Sequence, residues 1–226
     1  NTTKAYIFGS EKDKVKTQKF VEFLNQHQID VFVNEKEFTA DGKTFYPASS
    51  FIVPLKQKQF RLIKSIFEEV TSFTDTTFYD VSTWTFTHAF DLQYAKLVST
   101  KNIGISKNRV SATNINGKII GGKSTLGYLF GWNEFSAAKA LYKFQDAGLI
   151  TKVATEEFTF EIDEKETGFT FGTILIPVND QPLNEDQIYK LVTSVASETG
   201  IDFFGLSTGL SPKGIDMGSG SFVNLT

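Results

Sequence analysis

The side chains best suited to acid–base chemistry in this chain lie within nine residues of one another. Asp80, Ser82, Trp84 and His88 combine a carboxylate, a hydroxyl, an indole and an imidazole. A histidine that removes the proton of a serine, while a carboxylate orients the imidazole, activates the hydroxyl as a nucleophile. One hypothesis is therefore an enzyme in which His88 lies within hydrogen-bond distance of a hydroxyl or carboxylate in a crevice. The competing interpretation is a purely structural role, with His88 packed under Trp84.

Loops that follow predicted strands could instead bind a ligand without transforming it. In open α/β sheets, ligands bind at the carboxyl ends of the strands. An indole stacks on a flat apolar face, so Trp132 is suited to a sugar or a peptide side chain, although packing explains it equally well. With the residues of the first hypothesis included, the predicted ligand-site residues are Gly9, Ser10, Asp80, Ser82, Trp84, His88, Trp132, Asn133 and Ser207.

One stretch, GKIIGGKS at residues 117–124, matches the pattern of a phosphate-binding loop. Such a loop needs a buried strand before it and a helix after it, because the amides at the helix N-terminus face the phosphates. Here Asn116-Gly117 predicts a turn before the pattern, and residues 128–130 predict a strand after it. We therefore predict a glycine-rich linker, and no cofactor.

Metal and thiol chemistry have little support in the residue types. The chain has no cysteine, which excludes thiolate nucleophiles, thiolate metal ligands and disulfides. Its only imidazoles belong to His27 and His88, and neither H-E-x-x-H nor H-x-x-E occurs. His27 follows Leu24 at helical spacing, which favours a surface or half-buried structural role. We predict no metal site.

The composition is that of an ordinary globular protein. The 226 residues are 40% hydrophobic and 22% charged, and the net charge is −3. A basic surface is the usual mark of nucleic-acid binding, so no nucleic-acid partner is predicted. No apolar run approaches the roughly 18 residues of a membrane helix, so no membrane span is predicted either. A signal peptide is not expected, since residues 1–4 lead directly into a strand.

The chain contains an internal repeat. Four short matches recur in the same order, at offsets of 122, 120, 123 and 125 residues. They pair YIFG (6–9) with YLFG (128–131), EFT (37–39) with EFT (157–159), FIVP (51–54) with ILIP (174–177), and VST (81–83) with LST (206–208). A fold predicted for one half can therefore be tested against the other.

In both halves, short apolar runs alternate with segments whose apolar residues recur at helical spacing. This alternation is typical of βαβ units and a parallel sheet. We predict an α/β fold of two tandem βαβ-type repeats with largely parallel sheets, in a flavodoxin- or amidotransferase-like three-layer architecture. The predicted domains are a first repeat (1–84), a connecting helix and hairpin (85–127) and a second repeat (128–226), packed as one module.

Several stretches resemble a known family. They are YIFG (6–9), SFIVPLKQKQFRLIK (50–64), FYDVSTWTF (78–86), GTILIPV (172–178) and GLSTGL (205–210). Together they resemble the region after the catalytic domain of large carboxypeptidase A-like zinc peptidases of Bacteroidetes-type bacteria. In that family the region links the peptidase to a terminal domain similar to class I glutamine amidotransferases. The stretch GIDMGS (214–219) resembles the usual lead into that domain.

The resemblance implies a role without catalysis in this chain. The family's H-x-x-E zinc motif and the amidotransferase cysteine do not occur here, so no catalytic residue can be transferred to a position of this sequence. We therefore predict a non-catalytic accessory domain that positions the peptidase or binds a peptide or glycan substrate. The resemblance also implies neighbouring peptidase and amidotransferase-like domains as partners, and a periplasmic or extracellular location. The alternative is a free-standing module that binds a sugar or peptide in a cleft between the repeats.

Overall fold

The computed structural model describes residues 3–11, 13–69, 85–101 and 103–225. The chain divides into two compact units, Asn1–Thr113 and Asn114–Thr226. Residues 85–113 therefore belong to the first unit, where they supply two strands of its sheet.

The first unit alternates strands and helices in the order that the repeat predicts. Its elements are β1 (Ala5–Gly9), α1 (Lys14–Gln26), β2 (Phe32–Asn34), β3 (Phe38–Ala40), β4 (Lys43–Phe45), β5 (Ser50–Pro54), α2 (Phe60–Phe67), α3 (Phe86–Ala89), β6 (Gln93–Leu97) and β7 (Ile105–Arg109).

The second unit repeats this order except for one additional strand at its start and the lack, among its described residues, of a helix that corresponds to α3. Its elements are β8 (Ile119–Ile120), β9 (Gly127–Phe130), α4 (Ala137–Asp146), β10 (Thr151–Ala154), β11 (Phe158–Ile162), β12 (Lys165–Phe169), β13 (Ile174–Pro177), α5 (Glu185–Thr199), β14 (Phe203–Gly205) and β15 (Phe222–Leu225).

Local side-chain chemistry explains where the longest helix begins and ends. Asn184 caps α5 by accepting the Gln187 amide, and the Gln187 side chain accepts the Asn184 amide in return. This capping box pairs two amides that the helix leaves without partners. Glu185 and Asp186 add negative charge at the positive end of the helix dipole. Gly200 ends the helix at φ +75°, a left-handed conformation that costs glycine little.

The two units have sheets of the same topology. The strand order is β6-β1-β5-β2-β7 in the first and β8-β14-β9-β13-β10-β15 in the second. In each, the strands before and after the first helix flank a third strand and run antiparallel to it. Each unit therefore contains interleaved split β-α-β units of the ferredoxin-like kind. The duplicated element order predicted from the sequence is present in the structure.

The predicted fold class, with largely parallel sheets and a flavodoxin- or amidotransferase-like architecture, is wrong. Among the described strands only β8 and β14 pair in parallel, and every other pairing is antiparallel. The hairpins β3–β4 and β11–β12 explain the error. Each returns the chain to its sheet so that the next strand inserts between the two strands joined by the helix. The result is a mixed, β-rich fold.

Each sheet is covered on both faces by apolar side chains. In the second unit, Phe130 and Phe203 pack on Phe144 of α4 on one face, while the hairpin residues Phe158 and Phe160 cover the other. Burying one phenylalanine stabilises a fold by about 1.5–3 kcal/mol. Twelve of the phenylalanines that the structure describes are buried and help to build these cores.

The part of the chain that the structure describes contains no helix with both the length and the apolar character of a membrane span.

Candidate functional site

The strand directions bring three loops of the second unit to one edge of its sheet. β9 and β10 both run antiparallel to β13, which lies between them, so their carboxyl ends meet beside the start of β13. Trp132 follows β9, Glu156 follows β10, and Phe171 precedes β13. We name these three residues, together with Phe135 in the loop after β9, the aromatic edge.

A tight turn presents Phe171 to solvent. The Thr173 amide and hydroxyl both donate to the Thr170 carbonyl, at 3.2 and 2.7 Å. Gly172 supplies the left-handed residue of this turn at φ +84°, and its amide donates to Ala154 of β10 at 2.7 Å. The turn is therefore fixed to the sheet, while 69% of Phe171 remains exposed.

Trp132 lies next to this turn. A Cβ placed on Gly172 would lie 3.6 Å from the Trp132 Cβ, so the two loops lie side by side. Trp132 is 47% exposed and Phe135 is 52% exposed. The neighbouring Asn133 turns its Oδ1 back towards Gly131, 2.6 Å from where a Cβ would be. Large exposed apolar groups collected at one place on a surface are typical of binding sites.

A carboxylate is held at the same edge. The Ser221 hydroxyl donates to Glu156 Oε1 at 2.6 Å, and the amide and hydroxyl of Thr155 both donate to the Ser221 carbonyl at 3.0 Å. These bonds restrict Glu156, whose second oxygen can still accept hydrogen bonds from a ligand. The aromatic edge thus combines flat apolar surface with a positioned acceptor.

The corresponding edge of the first unit is closed by its own polar groups. Ser10 stands where the second unit has Trp132, and its hydroxyl accepts the amide of Asp13, which caps α1. Asn34 is fully buried and donates to Ser50 Oγ at 3.0 Å, and that hydroxyl donates to the Tyr46 carbonyl at 2.6 Å. The sequence predicted a ligand role for Gly9 and Ser10, but each has a structural explanation.

Gly9 is required by packing. A Cβ at this position would overlap the carbonyl oxygen of Ser49 and the backbone of Ser50. The glycine therefore allows β1 and the loop before β5 to approach one another.

The predicted residues around His88 are only partly described, because Asp80, Ser82 and Trp84 lie outside the described residues. His88 Nε2 is 3.4 Å from Glu69 Oε1, and the two side chains are half exposed. Tyr94 donates its hydroxyl to the second Glu69 oxygen at 3.2 Å, and its ring meets the His88 ring edge-on at 5.5 Å. Burial, reinforced by the Glu69 charge, raises the pKa of Tyr94 to about 12. This cluster joins an imidazole, a carboxylate and a neutral phenol. The enzyme hypothesis for His88 stays a prediction.

Ser207 is exposed but does not join the aromatic edge. Leu206 donates its amide to Gly127 at the start of β9, so Ser207 lies near the amino end of that strand. Trp132 follows the opposite end. The structure therefore brings Trp132 and Asn133 together but separates them from Ser207.

The phosphate-loop pattern does not form a phosphate site. The residues after Ser124 form strand β9, not a helix. Lys123 is paired with Glu185 and Asp186, both at 2.8 Å, and these hydrogen bonds and charges raise the pKa of its ammonium group. The Ser124 hydroxyl donates to the Leu206 carbonyl at 2.6 Å. Lys123 and Ser124, the two polar side chains that a phosphate loop requires, are thus used inside the unit.

Sequence reasoning missed Phe171, Phe135 and Glu156. The signal for Phe171 was its position before Gly172, since an aromatic residue at the tip of a glycine turn is exposed. Nothing in the local sequence distinguished Glu156 from Glu157, because only the contact with Ser221, 65 residues away, identifies it.

Within residues 3–11, 13–69, 85–101 and 103–225, no group of three or more histidine, cysteine, aspartate or glutamate side chains is arranged to hold a metal ion. No family model, no curated protein and no solved structure matches this chain.

Proposed function

We propose that the chain is a non-catalytic accessory module whose second unit binds a glycan at the aromatic edge. The observation that carries this proposal is the difference between the two repeats. The same scaffold carries a hydrogen-bonded Ser10 in one copy and a half-exposed Trp132 in the other, beside an exposed Phe171. Stability does not require an indole at this place, because the first repeat folds the same edge without one.

The chemistry of the edge suits a sugar better than a peptide. A sugar ring has an apolar C–H face that packs on flat aromatic surface, and hydroxyl groups that donate to a carboxylate such as Glu156. An extended peptide would also need free backbone groups to pair with. At this edge the amides of Gly172 and Thr155 already donate to other parts of the chain.

The resemblance to the region beyond the catalytic domain of zinc carboxypeptidase-like proteins supports the accessory role. A domain that holds a glycan would keep a neighbouring peptidase domain close to a substrate attached to that glycan. In this proposal the peptidase and amidotransferase-like domains are the partners, and the site of action is periplasmic or extracellular.

Affinity electrophoresis of the 226-residue chain in gels containing neutral or acidic polysaccharides tests the proposal. We expect retardation by at least one polysaccharide, and its loss in Trp132→Ser, the variant that copies the first repeat. Thermal-shift measurements with short peptides test the alternative ligand, a peptide. Stabilisation by peptides, with no retardation by any polysaccharide, would refute glycan binding.

A further inference from the structure

A second concave feature of this unit lies beside the aromatic edge. The loop 209–219 covers the hairpin face of the sheet and leaves a wide, open groove of about 860 Å³. Its walls include Leu210, Asp216, Met217 and Ser219, and Lys152 of β10 also lines it.

Lys152 is unusual for its position. It is half buried in a central strand, between Leu175 of β13 and Asn224 of β15. Its ammonium group makes no ion pair or hydrogen bond with any residue that the structure describes. A half-buried lysine packs its aliphatic stem on apolar surface and keeps its ammonium group in solvent, so Lys152 can present its charge at the groove.

The first repeat again supplies the comparison. Phe32 of β2 occupies the corresponding place, opposite Ile52 of β5 as Lys152 is opposite Leu175. An apolar side chain therefore fits this scaffold. A cation replaces it only in the unit that also carries the aromatic edge.

Asp216 lines the same groove but makes no ion pair with Lys152. Its Oδ1 accepts the Ser211 amide at 2.7 Å, and its backbone carbonyl accepts the Ser219 amide at 2.9 Å, so this residue fixes the loop. The groove therefore contains one cation and one carboxylate that are not paired with each other, and Lys152 is the group that can receive an acidic ligand.

The groove and the aromatic edge are connected along β10 and along the loop. Lys152 and Glu156 are four residues apart, a separation of at most about 13 Å in an extended chain. Ser219 lines the groove and accepts the Ser221 amide, and Ser221 in turn holds Glu156. A short oligosaccharide can span both features.

We propose that Lys152 binds the carboxylate of an acidic sugar, a uronate, in the glycan that the aromatic edge holds. This inference rests on the proposed function and specifies its ligand. A carboxylate in the groove would give Lys152 a charge-assisted hydrogen bond, which is stronger than a neutral one.

Calorimetric titration of the 226-residue chain with a galacturonate trisaccharide and a glucuronate-containing trisaccharide, each as free acid and as methyl ester, tests the inference. We expect at least one acid to bind roughly tenfold more tightly than its ester, because hydrogen bonds to charged groups are the stronger ones. Lys152→Gln should remove that difference, Lys152→Arg should preserve it, and the exposed control Lys139→Gln should have no effect. High salt should weaken binding of the acid and leave binding of the ester unchanged.

The outcomes separate this inference from the proposed function. Equal binding of acid and ester, lost in Trp132→Ser but unaffected in Lys152→Gln, would overturn the uronate site and leave the aromatic edge intact. Binding that depends on Lys152 but not on Trp132 would support the uronate site and refute the aromatic edge. Two outcomes would overturn the inference. One is an absence of binding by every trisaccharide. The other is binding of a free peptide carboxyl terminus through Lys152 when no uronate binds.

Discussion

Replacing Trp132 by serine should weaken glycan binding about tenfold while leaving the fold intact. The indole is 47% exposed, which corresponds to about 100 Å² of a tryptophan's surface. A sugar ring stacked on one face would cover about half of that area. At about 25 cal/mol per Å², burying about 50 Å² stabilises the complex by about 1.25 kcal/mol, roughly an eightfold to tenfold change in Kd.

The same substitution should change the free energy of unfolding by less than about 0.5 kcal/mol, as surface substitutions usually do. Phe60→Ser is the matched control, because Phe60 has the same exposed fraction, 47%, and lies in the first unit. Calorimetry with a glycan identified by electrophoresis gives the Kd of each variant, and urea denaturation gives its stability. An unchanged Kd in Trp132→Ser, or an equal loss in Phe60→Ser, would show that the reasoning about the edge is wrong.

Three further predictions concern the scaffold. Gly9→Ala should destabilise the first unit by about 1–3 kcal/mol through overpacking. Gly168→Ala should be nearly neutral, because a Cβ at Gly168 meets nothing within 4 Å. Thermal unfolding of the two variants measures this difference in stability. Asn184→Ala should cost about 1 kcal/mol of helix stability and Asn184→Gly only a few tenths, measured by urea denaturation, and equal losses would contradict the capping role. Tyr94, whose pKa burial and the Glu69 charge raise to about 12, should titrate at lower pH in Glu69→Gln, followed by NMR of its ring. This folded-state pKa lies above the unfolded value near 10. The stability that Tyr94 contributes is therefore complete below about pH 10 and is lost as the pH rises towards 12. An unchanged Tyr94 pKa in Glu69→Gln would refute the role of the charge.

Much of the local structure could be predicted from the sequence. The repeated YIFG and YLFG became β1 and β9, and the repeated FIVP and ILIP became β5 and β13. Helices alternate with strands in both units, as the helical spacing of apolar residues predicted. These elements depend on the residues within one turn or one strand, and local patterns report such residues reliably. The fourth match of the repeat, VST at residues 81–83, lies outside the described residues.

The candidate site could be predicted only in part. Trp132 was identified because it follows a strand, and the structure places it beside the Gly172 turn that carries Phe171. Glu156, Ser221 and Lys152 carry no local mark of function, because their roles depend on residues far away in the sequence. The comparison of Ser10 with Trp132, and of Phe32 with Lys152, became meaningful once the strand registers aligned the two repeats.

The sequence by itself determined that the chain is a duplicated α and β protein with short strands, phenylalanine-rich cores and no thiol chemistry. The tertiary structure alone decided the direction of the strands and which loops share an edge. The physical reason is that apolar periodicity specifies which face of a strand is buried, and this is the same for parallel and antiparallel neighbours. Strand direction depends instead on how the β3–β4 and β11–β12 hairpins return the chain to its sheet, which is a property of long-range pairing.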